Sequence, residues 1–449
     1  MPKDLGYDSS DPQSILSFAE RLMGRKLGET IPSTRSVTGD PTHRKGAAGR
    51  HFEGYFGLPT DNDRQPDFKE CGVELKSVPL FRGSRGQLRV KERTIISMMD
   101  YFAVAKEEWD KAYVRKKLNH ILFVFFETDP QTPVADWVTK EVFLWSPSDS
   151  DNEVFEVDYD GIRRKVLLGK AEELSEGDSE YLAAARKGAG KGKDLVDQPF
   201  GPKAPSRAFS FKQCFTRFIL EQRKGGFESL SKKLGVSKLS EFEAAVLSRY
   251  EDYKGKSVGE LALRFGVSLK PKNSAATVVR RCLGVESNKT KIEEFEKAGV
   301  QIKTVRLNEK GNPREAMSFP AFNHMELIEQ KWDESDLQND TSRLFIVVLR
   351  GPERSDKSRD VLSEAFFWSP DEEQASIMRK EWEMFVSMIR EGHADALPKA
   401  SETKEVHVRP HALKGASKEP APGGKTETKK GFWLNKGFVK RLIERHEAD

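Results

Sequence analysis

A long internal repeat constrains this chain more than any other feature. GRKLGE at 24–29 returns as GKSVGE at 255–260, an offset of 231. DFKECGVELKSVPL at 67–80 returns as EFEKAGVQIKTVRL at 294–307, an offset of 227. Trp109-Asp110, the ILFVFF run at 121–126, Trp145-Ser146-Pro147 and Phe215 all return 223 residues later. One such match could be chance, but a series in the same order with slowly drifting offsets is a duplication. The halves are 1–228 and 236–449, with 229–235 expected as a linker. A length of 449 residues suits two or three domains.

The first copy of the 67–80 stretch carries the chemistry. Val73, Leu75 and Val78 alternate with polar residues, which predicts a strand. Residues i and i+2 of a strand share a face, so Glu74 and Lys76 project together, and Asp67 enters from the turn before. Two carboxylates beside a lysine can hold Mg²⁺ and a water next to a phosphodiester. The same local pattern also suits a surface strand with a salt bridge. Glu53, fourteen residues before Asp67, completes the set.

The same spacing recurs at Glu381, Asp395, Glu402 and Lys404. There the context is polar and broken by Pro398, and it reads as linker and solvated helix. The repeat sorts the two halves further. Asp67 falls on Glu294, Glu74 on Gln301, Lys76 on Lys303 and Glu53 on Arg280. The second half therefore lacks the charge to hold a divalent ion, which assigns catalysis to the first half and binding to the second.

Composition excludes other classes. The longest unbroken apolar run, Ile121 to Phe126, is too short to span a membrane. The first residues, MPKDLGYDSSDP, carry no apolar signal core. Three scattered cysteines, Cys71, Cys214 and Cys282, argue against a disulfide framework and point to a reducing cytoplasm. No CxxC pair offers a zinc site. Net charge is only +4, yet residues 181–224 hold ten Lys or Arg against three Asp or Glu, and residues 401–449 hold eleven against seven. Two basic segments on an acidic body suit a polyanion or, equally, two solvated linkers.

Along the chain, Asp11-Pro12 opens an amphipathic helix. A short helix carrying Glu53 ends at Gly57. Residues 95–109 read as helix, 121–126 and 142–145 as strands, 185–206 as a mobile loop and 211–220 as helix. The tryptophans of both WSP motifs read as core and helix-entry residues rather than base stackers. His51 reads as a structural or phosphate contact.

The motifs HFEGYFG, DFKECGVELKSVPL, YVRKKLNHILF and FLWSP resemble the MutH family of DNA endonucleases. So do FFWSPDEEQASIMRKEWEMFVSMI, VHVRPHALKGA and KKGFWLNKGFVKRLIERH in the second half. A duplicated chain with one intact site resembles the family's restriction-enzyme branch, type II enzymes that cut at GATC. The resemblance implies two tandem restriction-endonuclease-like α/β domains, each a mixed central sheet flanked by helices. It carries the catalytic role onto Glu53, Asp67, Glu74 and Lys76, with Lys117 as a further lysine. Asp67, Glu74 and Glu53 are the expected ligands of Mg²⁺, for which Mn²⁺ can substitute. The base-reading loop falls on Arg186 and Lys187 in the first half, flanked by Lys191 and Lys193. In the second half it falls on Arg409, Pro410 and His411. The aromatic DNA contact falls on Ser210 and Trp433; Ser210 and His411 depart from the repair enzyme's pattern. The expected partner is double-stranded DNA, with self-association on it and no membrane. Two rival readings are a methylation-directed strand-nicking repair enzyme and a DNA-binding protein without catalysis.

Overall fold

The computed structural model describes residues 6–30, 46–59, 64–83, 87–129, 132–188, 194–236, 239–286, 289–352, 357–411 and 418–448. The chain forms two compact units, Met1–Glu221 and Gln222–Asp449. Among the described residues, no helix is long and apolar enough to cross a membrane.

In the first unit the elements are α1 (Pro12–Glu20), α2 (Ala47–Phe56), β1 (Glu74–Arg82), β2 (Leu88–Val90), β3 (Thr94–Met98), α3 (Tyr101–Lys106) and α4 (Tyr113–Leu118). They continue with β4 (Ile121–Glu127), β5 (Val138–Trp145), α5 (Asp149–Leu167), β6 (Leu182–Arg186), β7 (Leu195–Val196), β8 (Ala204–Pro205), β9 (Arg207–Phe211) and α6 (Gln213–Glu221). The main sheet has the order β2-β1-β4-β5. β1 runs parallel to β4, and the other pairs are antiparallel. A second sheet has the order β3-β9-β6.

Strand β4 is buried at every position from Ile121 to Phe126, as a continuous apolar run covered on both faces must be. Leu122, Val124 and Phe126 join Ile15, Ala19, Phe52, Phe56 and Leu75 in one core cluster. On the other face, Phe123 contacts Phe143 and Trp145. Asp11 caps α1 by accepting from Gln13 and Ser14 N–H, and Gly57 ends α2 at φ +69°, as the sequence predicts. Trp145 is buried and meets Phe211 and Phe215 edge-on, so its WSP tryptophan is core.

Three expectations fail. Residues 95–98, read as the start of a helix, belong to β3; Thr94 and Ile95 are β-branched and pair with Phe211 and Ser210 of β9. Phe211, read as the first residue of the 211–220 helix, is the last of strand β9, and the helix starts at Gln213. The 229–235 stretch is folded into the second unit: Ser229 caps a helix at Leu230–Leu234, and Leu230 lies in that unit's core.

The second unit repeats the plan. The strands Gln301–Leu307, Leu344–Arg350 and Val361–Trp368 form one sheet, and Met317–Ala321, Lys430–Leu434 and Val406–Pro410 form another. The register is conserved between the units. Glu74 pairs with Ile121 and Lys76 with Phe123; Gln301 pairs with Leu344 and Lys303 with Ile346. These are the equivalent positions of the repeat.

Candidate active site

Three short elements assemble the site. Leu75 turns into the core, so its neighbours Glu74 and Lys76 share the opposite face of β1. The turn before β1 closes through Phe68 N–H to Val73 O (2.9 Å) and Gly72 N–H to Phe68 O (2.9 Å). Gly72 has φ +71°, a conformation that only glycine takes without strain. This turn folds Asp67 back onto the strand: its Oδ2 accepts Leu75 N–H at 2.8 Å. Its own N–H donates to Glu74 Oε2 at 3.2 Å. On the far side, Glu74 N–H donates to His120 O at 2.9 Å, which ties β1 to the end of α4 and brings Lys117 across.

The result is a compact set of four charges. Lys76 Nζ lies 2.7 Å from Glu74 Oε1, and Lys117 Nζ lies 3.2 Å from both Glu74 oxygens. Glu74 is 1 % exposed and Lys117 7 %. Charges this buried persist only when paired. Burial, and then the Glu74 charge, push the Asp67 carboxyl up to about 6.

Glu53 lies on α2, the helix that packs on β1. It is half-buried, and its Oε2 is buried with no hydrogen-bond partner. Beside it, His51 is buried, and its Nε2 meets Thr30 Oγ1 at 2.8 Å, a structural role. Among the described residues, no three His, Cys, Asp or Glu side chains converge on one metal position. The structure thus joins Asp67 and Glu74 as an adjacent pair and does not complete the expected three-carboxylate set with Glu53. A hard-oxygen pair that leaves the remaining positions to phosphate and water fits Mg²⁺.

The second unit shows what replaced this set. Glu294, in the Asp67 position, caps the helix at Leu230–Leu234. Its oxygens accept from Ser229 Oγ (2.8 Å), Leu230 N–H (2.9 Å), Ser231 N–H (3.0 Å) and Ser231 Oγ (2.6 Å). Gln301 donates through Nε2 to Asp340, and Asp340 occupies the Lys117 position at an offset of 223. Lys303 donates to Ser318 O at 2.9 Å and sits 4.0 Å from the Phe319 ring centre. Burial lowers it to about 8. Arg280 donates to Thr290 O.

The sequence-expected DNA contacts divide. Arg186 is exposed at the end of β6 and ion-pairs with Asp194 at 3.1 Å. Lys187 follows it, with its N–H on Ser206 O at 2.7 Å. Lys191 and Lys193 lie outside the described residues. Ser210 is fully buried and its hydroxyl lies 3.4 Å from Ala183 O; it faces the sheet interior rather than a surface, so it is removed from the set. In the second unit Arg409, Pro410 and His411 are exposed. The Arg409 guanidinium lies 5.6 Å from the Trp433 ring centre, and His411 packs on the same indole at 5.9 Å.

One anchoring role escaped the sequence reading. Asp158 on α5 accepts the N–H groups of Glu180 (2.6 Å), Tyr181 (2.7 Å) and Leu182 (2.8 Å), which pins the start of β6. Glu381 does the same for Lys404 (2.6 Å), Glu405 (3.2 Å) and Val406 (2.7 Å). Glu381 is thus a half-buried anchor, not part of a solvated helix face. The offset of 223 that relates the two was the available signal.

The family model described as "DNA mismatch repair enzyme MutH" matches residues 56–158 and again 283–381. Both matched segments hold the β1-type strand and the helix and strand that follow. Each unit of the chain thus holds a segment similar to the MutH family. The match includes Asp67, Glu74, Lys76 and Lys117, and it leaves out Glu53. The chain is also 28 % identical to the type II restriction enzyme Sau3AI of Staphylococcus aureus, over 96 % of this chain and 98 % of that one. DNA mismatch repair protein MutH of Vibrio campbellii is 29 % identical over 46 % of this chain and 87 % of its own length. MutH of Vibrio cholerae is 26 % identical over 47 % of this chain and 95 % of its own. Single-unit MutH proteins thus match about half the chain, and a restriction enzyme matches nearly all of it.

Proposed function

We propose that this protein is a type II restriction endonuclease that hydrolyses DNA at a GATC-type palindrome with Mg²⁺. Its first unit cuts, and its second binds DNA as a pseudo-partner at the site or as an effector at another. The observation that carries this reading is the single intact constellation of Asp67, Glu74, Lys76 and Lys117 in a chain whose full length is similar to a restriction enzyme.

Asp67 and Glu74 would hold the divalent ion, Mg²⁺ or Mn²⁺ in its place. When bound, the ion neutralises phosphate charge and makes water more acidic. Lys76 Nζ, the more exposed of the two ammonium groups, orients the attacking water or stabilises the charge that builds on the phosphate. Lys117 Nζ binds the scissile phosphate. Glu53 Oε2, buried and unpartnered, orients the attacking water. Arg186 and Lys187 read guanine edges in the major groove. In the second unit, Trp433 with Arg409 and His411 forms a cation-flanked aromatic platform that suits DNA.

The test is a supercoiled plasmid carrying GATC, incubated with Mg²⁺ or with EDTA. Double-strand breaks at GATC only with Mg²⁺ support the reading. Nicks alone, however long the incubation, would instead support the rival reading of a strand-nicking repair enzyme.

A further inference from the structure

Glu74 is the ligand least free to meet a cation. Its side chain is 2 % exposed, and each oxygen already accepts two hydrogen bonds. Oε1 accepts from Lys76 Nζ (2.7 Å) and Lys117 Nζ (3.2 Å). Oε2 accepts from Lys117 Nζ (3.2 Å) and Asp67 N–H (3.2 Å). A carboxylate offers about four lone-pair sites, so this one is saturated. Lys117 touches both oxygens, and its 7 % exposure leaves its ammonium little other hydration.

The geometry points to Lys117 as a positioning residue that guards Glu74: it keeps the carboxylate closed to cations until a DNA phosphate draws its ammonium away, so DNA and cation bind cooperatively. The inference deepens the proposed nuclease reading and rests on it. A phosphodiester oxygen carries the same charge as the carboxylate it replaces, so the ammonium moves from one anion to another without becoming unpaired. Each Glu74 oxygen then loses one donor and regains a lone pair for the cation. Without DNA, a cation must displace a buried ion pair, and breaking such a pair is costly. Coupling of this kind is reciprocal: whatever DNA does for the cation, the cation does for DNA.

The second unit argues that the lysine is not there for packing. The same two positions touch as Gln301 and Asp340, on an equivalent strand and helix with the same register. The joint therefore holds without a lysine. Where no cation ligand remains on the strand, none is guarded.

The experiment is Ca²⁺ binding by calorimetry on the full chain, alone and with a GATC duplex whose integrity is checked afterwards. Wild type, Lys117→Gln, Lys117→Met and Asp67→Asn are compared, each with its thermal unfolding. In wild type the duplex should tighten Ca²⁺ binding by about tenfold, within the usual range of site coupling. Lys117→Gln should bind Ca²⁺ more tightly than wild type without DNA, and the duplex should then add little. Lys117→Met repeats the test if the introduced amide forms hydrogen bonds of its own or the first variant fails to fold. Equal duplex-induced tightening in wild type and in both variants would overturn the guard, because phosphate ligation of the ion alone would explain it. Asp67→Asn separates the two claims. If it abolishes Ca²⁺ binding while the Lys117 variants behave like wild type, the site stands and the guard falls. If Ca²⁺ binds equally well without the Asp67 charge, the cation site itself is elsewhere and both fall.

Discussion

Asp67→Asn should stabilise the metal-free protein while abolishing cutting. Burial and the Glu74 charge raise the Asp67 carboxyl from 3.8 to about 6. At 1.36 kcal/mol per unit, holding it ionised costs the fold about 3 kcal/mol. The sign follows from linkage: the folded state binds the proton more tightly than the unfolded chain. The group therefore costs nothing below about pH 4, and the cost grows until it is complete above about pH 6. Asparagine removes that cost and keeps an oxygen for Leu75 N–H, now 2.8 Å from Asp67 Oδ2. The charged hydrogen bond to Leu75 N–H is already part of that net shift, so the gain at pH 8 is about 3 kcal/mol, or roughly 6–12 °C for a unit of this size. The assay is calorimetric unfolding of the full chain in EDTA at pH 8 and pH 4. The gap should be present at pH 8 and mostly gone at pH 4. An Asn variant that melts at or below wild type at pH 8 would refute the reasoning, as would a gap that ignores pH.

Three further outcomes follow from the same geometry. Asp158→Ala strands the three N–H groups it now accepts, two of them buried; it should destabilise the first unit by about 3–5 kcal/mol in denaturant unfolding. Gln301→Glu placed in an Asp67→Asn background should leave the chain unable to nick plasmid, because Glu294 is committed to a helix cap and Asp340 stands where the first unit has Lys117. Trp433→Ala should weaken binding of a GATC duplex by about tenfold in a gel shift, the loss of one aromatic platform, with unfolding of the first unit unchanged.

The repeat was legible because core strands and their helix joints tolerate little drift, and ILFVFF and LFIVVL mark the same buried strand. Glu74 and Lys76 were legible for the same reason: a strand with Leu75 inward must put them together. Other features depended on partners distant in sequence. Glu294 matches Asp67 by position, yet its cap on residues 229–231 is set by a segment that read as a linker. Ser210 sits on a strand whose outer face is also covered, which alternation cannot show. Strand β3 was lost because its five residues precede a genuine helix, and its pairing partner lies more than a hundred residues away. Asp158 and Glu381 act on backbone N–H groups, which carry no sequence signature; only the repeat offset links them.

The central claim is that one carboxylate–lysine set in the first unit cuts DNA. The most direct measurement is Mg²⁺-dependent cleavage of a GATC plasmid by wild type and by Glu74→Gln, with duplex binding measured alongside. Glu74→Gln copies the residue that the second unit already carries at Gln301. The account predicts that wild type linearises the plasmid and that the variant binds the duplex without cutting it. A variant that cuts at the wild-type rate would make the Glu74 cluster structural and the assignment of the active site wrong.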